Sequence, residues 1–231
     1  MRLFTMLLIL AVVAFIGTAG CGNNNADAGE KENADKETKS TGDSTMTEDK
    51  KDATTEESHP LRSKDNAIVT IRTNYGDMTL ELWRDLAPAH ADSFVARANE
   101  GFYDGLKFHR VVENFMIQGG DPKGNGTGNA GYFLPAEFSD EPHVEGTLSM
   151  ARSQSPNSAS CQFFICLTRT AFLDGKYTVF GKLIKGYDVL QTIGHIETVM
   201  GAGGREKSQP VKDVLMEKVF VSDADGKPLK E

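Results

Sequence analysis

Residues 22–66 contain no phenylalanine, tryptophan or tyrosine, and their only sizeable apolar side chains are Met46 and Leu61. The same residues include 12 acidic residues and 7 lysines or arginines, which gives a net charge of −5. A segment with so little apolar surface cannot offset the conformational entropy that it would lose on folding. We therefore predict a disordered acidic linker over residues 21–66 and one domain over residues 67–231, which is long enough for a sizeable core.

Basic residues are too few and too scattered for a nucleic-acid surface. The chain has 25 lysines and arginines against 33 aspartates and glutamates, and its formal net charge is −8. Nucleic-acid-binding domains have the opposite balance, so a nucleic-acid partner is not expected. The five histidines lack the spacing of metal ligands, and no metal site is predicted.

The N-terminus also lacks an apolar run long enough for a membrane-spanning helix. After Arg2, residues 3–16 form an apolar run of 14 residues, shorter than the roughly 20 residues of a membrane-spanning helix. The small residues "GTAGC" follow at 17–21. This order is typical of a secretory signal peptide, here residues 1–20, and an uncleaved membrane anchor is the alternative.

The end of the signal peptide resembles the lipobox of bacterial lipoproteins. Ala19, Gly20 and Cys21 match its pattern, whereas Thr18 stands where leucine or another aliphatic residue is usual. The resemblance implies that Cys21 is lipidated and becomes the first residue of the mature protein. The expected location is the bacterial cell envelope, where an exported chain is anchored to a membrane by its N-terminal lipid.

The other two cysteines, Cys161 and Cys166, lie five residues apart in "CQFFIC". In a strand, an odd separation places them on opposite faces, and five extended residues span roughly 16 Å. A disulfide requires Cα atoms within about 7 Å of each other. We therefore predict two free, buried cysteines.

Residues 126–131, "GTGNAG", match the dinucleotide-binding pattern G-x-G-x-x-G. That motif requires a strand before it and a helix after it, because the helix N-terminus receives the pyrophosphate. Here "YFLPAEF" follows, and Pro135 interrupts any first helical turn. We interpret the segment as a glycine loop, and no cofactor is predicted.

The rest of the domain reads as short strands with two helices. Residues 67–83 alternate around "NYGD" and predict an antiparallel hairpin. Pro88 and Gly101 bracket a helix of about three turns, and a second helix is expected near residues 188–193. Further strands are predicted near residues 108–112, 115–118, 146–150, 162–167, 177–183 and within 211–221. Many short strands with glycine-rich turns favour a closed antiparallel barrel capped by helices.

Polar side chains interrupt two of these strands in a regular way. By alternation Met116 and Gln118 share a face, and so do Gln162 and Phe164. An amide beside a large apolar side chain is typical of a ligand pocket, and Arg110 adds a cation. The alternative is an edge strand whose polar residues face water. No serine, cysteine or carboxylate stands beside a histidine here, so nucleophilic chemistry is not predicted.

Four ordered segments resemble the signature segments of the cyclophilins, the cyclosporin-binding family of peptidyl-prolyl isomerases. They are "FHRVVENFMIQGGD" (108–121), "GTLSMAR" (146–152), "NSASCQFFICL" (157–167) and "FLDGKYTVFGKL" (172–183). The resemblance covers roughly residues 67–222. It implies a mainly β fold, a closed eight-stranded antiparallel barrel capped by two α-helices, with a pocket for proline on its outer surface. The implied partners are proline-containing polypeptides, and a monomer is expected.

The resemblance also implies roles for individual residues. Arg110 would donate a hydrogen bond to the prolyl nitrogen, and Gln118 would fix Arg110 or the substrate backbone. The implied substrate-binding residues are Phe115, Met116, Ala151, Gln162, Phe164, Phe172, Leu173 and Tyr177. Simple alternation would place Phe115 opposite Met116, so its role requires a bend at residues 113–114.

The chain departs from the well-studied members at two pocket positions. Phe172 stands in place of a tryptophan and Tyr177 in place of a histidine, and the loop at 152–160 is one residue longer. Because phenylalanine has no N–H donor, we expect weak cyclosporin binding with catalysis retained.

Two functions remain open at this point. One is an isomerase that helps exported proteins to fold, and the other is a binding module or chaperone that holds proline segments with little turnover. Arg110 favours the isomerase, since holding a proline ring requires only an apolar wall. A purely structural domain would leave the polar pocket residues without a purpose.

Overall fold

The computed structural model describes residues 60–201, 204 and 206–229. The predicted signal peptide, Cys21 and most of the predicted linker lie outside these residues. All described residues fall within one compact unit, Asp52–Glu231. Among them, no helix is both long and apolar enough to cross a bilayer.

The described part of the chain contains ten strands, and eight of them form one antiparallel sheet in the order β10-β1-β2-β7-β5-β6-β4-β3. The predicted hairpin and the predicted short strands are confirmed. The strands are β1 (Ala67–Thr73), β2 (Gly76–Leu82), β3 (Arg110–Val112), β4 (Met116–Gly119), β5 (Thr147–Met150), β6 (Phe163–Cys166), β7 (Val179–Lys185), β8 (Thr198–Met200), β9 (Lys207–Pro210) and β10 (Met216–Val221).

The prediction of a closed barrel is wrong, because β3 and β10 are the two edges of an open sheet. The residues just before these strands do meet: the Phe108 N–H donates to the Val214 carbonyl at 2.9 Å, and Lys107 forms an isolated bridge with Leu215. The contact continues to β10, where the Met216 N–H donates to the Leu106 carbonyl at 2.8 Å and the Gly105 N–H donates to the Met216 carbonyl at 2.7 Å. No ladder joins β3 to β10, however. The sheet is therefore an eight-stranded half-barrel.

Both predicted helices are confirmed, as α1 (Pro88–Asn99) and α2 (Tyr187–Gly194). Proline at the first position of α1 suits a helix start, since its missing N–H would have no partner there. Gly101 follows the end of α1 with a φ of 68°. The buried faces of the helices, with Phe94 in α1 and Leu190 in α2, belong to one apolar core.

Strands β8 and β9 pair with each other in a separate two-stranded sheet. The sequence analysis missed both strands because they have only three and four residues and are mostly exposed, so they lack an alternating apolar pattern. Strand β9 lies against β3, the strand that begins with Arg110. The small sheet thus reaches the predicted site.

The main sheet has an apolar cluster on each face. Ile117 and Phe163 belong to the main core, whereas Met116 and Phe164 belong to a smaller cluster with Cys166. Neighbouring residues of a strand point to opposite faces, so β4 and β6 each contribute to both clusters. The predicted free cysteines are buried, and they lie in different clusters.

Residues 62–66, which the sequence analysis assigned to the linker, contact the domain. The buried carboxylate of Glu81 in β2 accepts hydrogen bonds from the backbone N–H groups of Arg62 and Ser63, both at 2.9 Å, and from the Asn66 side chain at 3.0 Å. A buried carboxylate is costly without such donors. These contacts place the ordered start of the domain before Ala67.

Candidate active site

Eight of the ten pocket residues that the resemblance implies line one small cavity of about 140 Å³. The cavity lies over the smaller apolar cluster, on the outer face of the sheet. Arg152 also lines it, although the sequence analysis did not assign Arg152 to the site. The eight predicted lining residues are Arg110, Phe115, Met116, Gln118, Ala151, Phe164, Leu173 and Tyr177.

Phe115 reaches the pocket because the chain bends just before β4. Asn114 has a φ of 58°, and the Phe115 N–H donates to the Val112 carbonyl at 3.0 Å. Asparagine tolerates this left-handed conformation better than most residues. Phe115 therefore belongs to a turn rather than to β4, and it faces the same cavity as Met116. The bend expected at residues 113–114 is present.

A chain of side-chain hydrogen bonds connects the polar residues of the pocket. Arg110 and Gln118 are directly opposite each other in the β3–β4 pair, and Nη1 of Arg110 donates to Oε1 of Gln118 at 3.2 Å. Nε2 of Gln118 donates in turn to Oε1 of Gln162 at 3.1 Å. Because each amide is held by its neighbour, the guanidinium at the end of the chain is held in one orientation.

The hydrogen-bond chain ends at Gln162, which is anchored in the glycine loop of residues 126–131. Nε2 of Gln162 donates to the carbonyls of Gly126 and Gly128, at 3.2 and 2.8 Å. The buried carboxylate of Asp121 organises the loop by accepting backbone N–H groups, including that of Asn125 at 2.9 Å. Burial acts to raise the pKa of Asp121, but the backbone hydrogen bonds hold it below its ordinary value. Gly120 permits this arrangement, since its φ is 80° and a Cβ there would lie 2.5 Å from a backbone oxygen.

Two of the predicted substrate-binding residues lie beside the small cavity rather than in its wall. Gln162 lines a neighbouring cavity of about 400 Å³ together with Gln118. Phe172 lies in a turn of 3₁₀ helix, Ala171–Leu173, and 64% of its surface is exposed. Its ring centroid is 5.5 Å from that of Phe115, so Phe172 borders the entrance of the pocket.

Arg152 is a pocket residue that sequence reasoning missed. Its guanidinium carbon lies 4.5 Å from the centroid of the Tyr177 ring, and its Nε and Nη2 donate to the Lys176 carbonyl at 3.1 and 2.8 Å. The one-residue difference in loop length prevented transfer of a role to this position. A cation over an aromatic face is a recognisable stabilising contact, and here it holds Tyr177 against the pocket.

Glu206 is the second missed residue. Its Oε1 lies 2.6 Å from Nε of Arg110, and this hydrogen bond holds the pKa of Glu206 below its ordinary value. A third cavity, of about 800 Å³, is lined by both residues and by Gln118. Gln118 thus borders all three of these cavities, and Arg110 lines both the cavity of about 140 Å³ and the cavity of about 800 Å³.

A buried polar group supports the floor of the pocket. Nδ1 of His143 lies 3.1 Å from Oδ1 of Asp174, and its Nε2 lies 3.1 Å from Oγ of Ser149. The order serine, histidine and aspartate is that of a hydrolase triad. However, Ser149 and His143 are fully buried, so no substrate atom can reach the hydroxyl, and the group is structural.

The pocket offers a cation and amides but no nucleophile. Cys166 lies opposite Met116 in the β4–β6 pair, within the small cluster, and burial raises the pKa of its thiol to about 12. A thiol with that pKa is protonated at neutral pH and does not react as a thiolate. In the described part of the chain, no group of three or more metal-binding side chains could hold an ion. The arrangement suits non-covalent stabilisation of an apolar ligand that develops a hydrogen-bond acceptor.

Comparison with known proteins agrees with this geometry. A family model described as cyclophilin type peptidyl-prolyl cis-trans isomerase/CLD matches residues 68–221. A Brucella suis protein named "Probable peptidyl-prolyl cis-trans isomerase" is 48% identical over 137 residues, which cover 54% of this chain and 70% of that protein. Peptidyl-prolyl cis-trans isomerase-like 1 of Bos taurus is 38% identical over 160 residues, which cover 67% of this chain and 92% of the bovine protein.

A solved structure shares the fold. The cyclophilin type peptidyl-prolyl cis-trans isomerase of Cryptosporidium parvum, crystallised in the presence of the dipeptide Ala-Pro, superposes with a TM-score of 0.63 and 32% sequence identity. The superposition covers 68% of this chain and 99% of that one. The matched family model spans well over half of the sequence and includes the whole pocket, and the chain belongs to the cyclophilin-type peptidyl-prolyl cis-trans isomerase family.

Proposed function

We propose that this protein is a peptidyl-prolyl cis-trans isomerase that acts on exported polypeptides at a membrane surface. The observation on which the activity rests is the position of Arg110. Its guanidinium borders an apolar cavity of about 140 Å³, and Gln118 holds it at 3.2 Å. A cavity of this size suits a proline ring, and a fixed donor at its edge suits the prolyl nitrogen.

The reaction requires no covalent step. Rotation about an X–Pro amide has a barrier of about 18 to 20 kcal/mol because it destroys the amide resonance. An enzyme accelerates rotation if it binds the twisted amide more tightly than either planar form. As the amide twists, the prolyl nitrogen regains its lone pair and becomes an acceptor. Arg110 donates to that lone pair, and this hydrogen bond is strongest in the transition state.

The apolar residues hold the ring while the amide turns. The wall and floor of the cavity are formed by Phe115, Met116 and Phe164. Leu173 closes the cavity on the side of the 3₁₀ turn. Burying the ring excludes water from the nitrogen, which strengthens the hydrogen bond from Arg110. Gln118 orders the guanidinium before the substrate arrives, so less freedom is lost in the transition state.

The proposed location rests on the N-terminal sequence. An apolar run of 14 residues follows Arg2, and a lipobox-like segment ends in Cys21. With a lipid on Cys21, the acidic segment that follows would act as a spacer between the membrane and the domain. The substrates would then be proline-containing chains that fold after export.

One experiment separates an isomerase from a binding module. The full chain is added to a peptide with an Ala-Pro bond, and cis-trans exchange is measured by exchange NMR without a coupling protease. We expect exchange that is faster than in the free peptide and proportional to enzyme concentration. Saturable binding of the peptide with an unchanged exchange rate would favour the binding module instead. Acceleration of a proline-limited refolding phase of an exported protein tests the role in folding.

A further inference from the structure

The structure shows a carboxylate in direct contact with the guanidinium that the proposed mechanism uses. We propose that Glu206 is a positioning residue for catalysis, which fixes the Nε edge of Arg110 so that its remaining N–H groups face the proline pocket. The inference rests on the proposed isomerase function, in which Arg110 is the donor to the prolyl nitrogen. The distance between Nε of Arg110 and Oε1 of Glu206 is 2.6 Å.

The hydrogen bonds of Arg110 are divided between two edges of the guanidinium. Nε donates to Glu206, and Nη1 donates to Oε1 of Gln118 at 3.2 Å and contacts the sulfur of Met116 at 3.7 Å. None of the described residues accepts a hydrogen bond from Nη2. Arginine has five N–H donors in a planar fork, so contacts at two edges fix the plane and leave donors for the substrate.

The carboxylate is itself held in place. The Gly201 N–H donates to the Glu206 carbonyl at 3.0 Å, which fixes the backbone at the start of β9. The buried Ser208 contributes, after Arg110, to holding the pKa of the Glu206 carboxyl below its ordinary value. Because β9 lies against β3, Arg110 in β3 and Glu206, the residue before β9, are brought together by two strands that pack against each other. The contact therefore joins two packed segments through side chains that are 32% and 41% exposed.

The position and the charge of Glu206 have opposite effects on Arg110 as a hydrogen-bond donor. Arg110 is about one-third exposed, at 32% of its side chain, so without Glu206 its rotation would be limited by one hydrogen bond to Gln118 and by weaker contacts with Met116 and Phe115. Ordering the side chain before the substrate binds favours turnover. The negative charge of Glu206 instead weakens the positive field of Arg110 at the prolyl nitrogen. A glutamine at 206 keeps an acceptor oxygen and removes the charge, so it separates the two effects.

The test compares Glu206→Ala, Glu206→Gln and wild type in the full chain, with kcat and KM from exchange NMR on an Ala-Pro peptide. If Glu206 positions Arg110, alanine lowers kcat about three- to tenfold with little change in KM, because the lost contact matters most in the transition state. Glutamine restores kcat to within about twofold of wild type. Glu100→Ala is the matched control, since Glu100 forms an Arg–Glu pair with Arg97 at 2.9 Å on α1, and its kcat equals that of wild type.

A second measurement does not depend on activity. The Nε–H proton of Arg110 is observed by NMR, assigned with Arg110→Lys, and its exchange with water is measured. We expect exchange at least about tenfold faster in Glu206→Ala than in wild type, and protection in Glu206→Gln.

Three results would overturn the proposal: unchanged kcat in Glu206→Ala, equal losses in both variants, or unchanged exchange of the Nε–H proton. An inactive wild type with a protected proton would instead overturn the proposed isomerase function and leave the contact intact.

Discussion

The imidazole of His143 lies nearly parallel to the phenyl ring of Phe164, at an angle of 14° and a centroid distance of 6.0 Å. Phe164 also lines the small cavity of about 140 Å³. His143 is held by Asp174, which ends the 3₁₀ turn of Phe172, and by Ser149 in β5. One buried histidine therefore connects the floor of the pocket, its rim and the sheet.

The burial of His143 predicts that the free energy of unfolding decreases as the pH falls from 7.5 to 5.5. Burial lowers the pKa of His143 more than Asp174 raises it, and burial also lowers that of His90. Below the ordinary histidine pKa of about 6.5 the unfolded chain therefore binds protons that the folded chain does not. Each such histidine lowers the free energy of unfolding by at most about 1.4 kcal/mol per pH unit. Urea unfolding at the two pH values measures the change.

His143→Gln separates this histidine from the others. The variant removes one titrating group, so the difference in free energy of unfolding between pH 7.5 and 5.5 should be smaller than in wild type, whatever its stability at neutral pH. His195→Gln, at an exposed position, is the matched substitution control. Equal differences in wild type and His143→Gln would contradict the burial argument.

Strand alternation was sufficient to predict which residues of β4 and β6 share a face. Side chains alternate with a period of two, so assigning one side chain to a face assigns all the others in that strand. Alternation placed Met116 and Gln118 together from the sequence. Glu206 could not be found in that way, since it lies 96 residues from Arg110 in the chain and next to strands without an apolar pattern. Closure of the barrel also depends on pairing between β3 and β10, which are far apart in the chain, and alternation within one strand carries no information about such a pairing.

The hydrogen bonds that Glu81 accepts from residues 62–66 predict that the stable domain begins before residue 67. The Glu81 carboxylate is 2% exposed and accepts three hydrogen bonds from residues 62–66. A chain that begins at residue 67 loses these donors, so its free energy of unfolding should be about 2 kcal/mol lower than that of a chain that begins at residue 60. Urea unfolding of both chains tests this. Glu81→Gln should cost stability in the longer chain and little in the shorter one, and a similar cost in both would show that residues 62–66 do not stabilise Glu81.

Arg110→Ala should lower kcat roughly a hundredfold or more, the scale observed when a donor to a developing acceptor is removed. The fold should be retained, because the ion pair with Glu206 is partly exposed and such pairs contribute about 1 kcal/mol or less. Exchange NMR on an Ala-Pro peptide measures kcat, and thermal unfolding checks the fold. Arg110→Lys keeps the charge without the planar fork and should remain well below wild type. Near-normal turnover in folded Arg110→Ala would favour the binding module.

Lipidation of Cys21 predicts that the protein partitions into a detergent phase and that substitution of Cys21 alone abolishes this partitioning. Wild type should partition into the detergent phase and Cys21→Ser into the aqueous phase. About 40 residues separate Cys21 from the first contact of the domain at Arg62, and an unfolded spacer of that length would have an r.m.s. span of roughly 32 to 38 Å, enough to hold the domain clear of the headgroups. If both proteins partition into the aqueous phase, Cys21 is not lipidated. If both partition into the detergent phase, the N-terminal apolar run is an uncleaved anchor.

Because position 172 is a phenylalanine, we expect an isomerisation rate typical of the family together with weak inhibition by cyclosporin. The resemblance to cyclophilins implies a tryptophan at this position, whose indole N–H donates a hydrogen bond to the drug. Phenylalanine has no donor, and a carbonyl that loses its partner on binding costs about 1 to 3 kcal/mol, or five- to 150-fold in affinity. A short peptide makes no such contact, so its isomerisation should be unaffected.

Phe172→Trp is the decisive variant because the position is 64% exposed and lies at the pocket entrance against Phe115. A larger ring can therefore be accommodated without repacking the core, and its N–H can reach a ligand that extends beyond the proline. We expect at least fivefold tighter inhibition by cyclosporin in the variant, with kcat within about twofold of wild type. Titration of both proteins in one isomerisation assay gives the comparison. Leu229→Trp controls for added aromatic surface, because Leu229 is exposed and lines a separate cavity that shares no residue with the pocket. Tight inhibition of wild type, or no gain in Phe172→Trp, would mean that the rim at residue 172 does not face the drug as it does in the family.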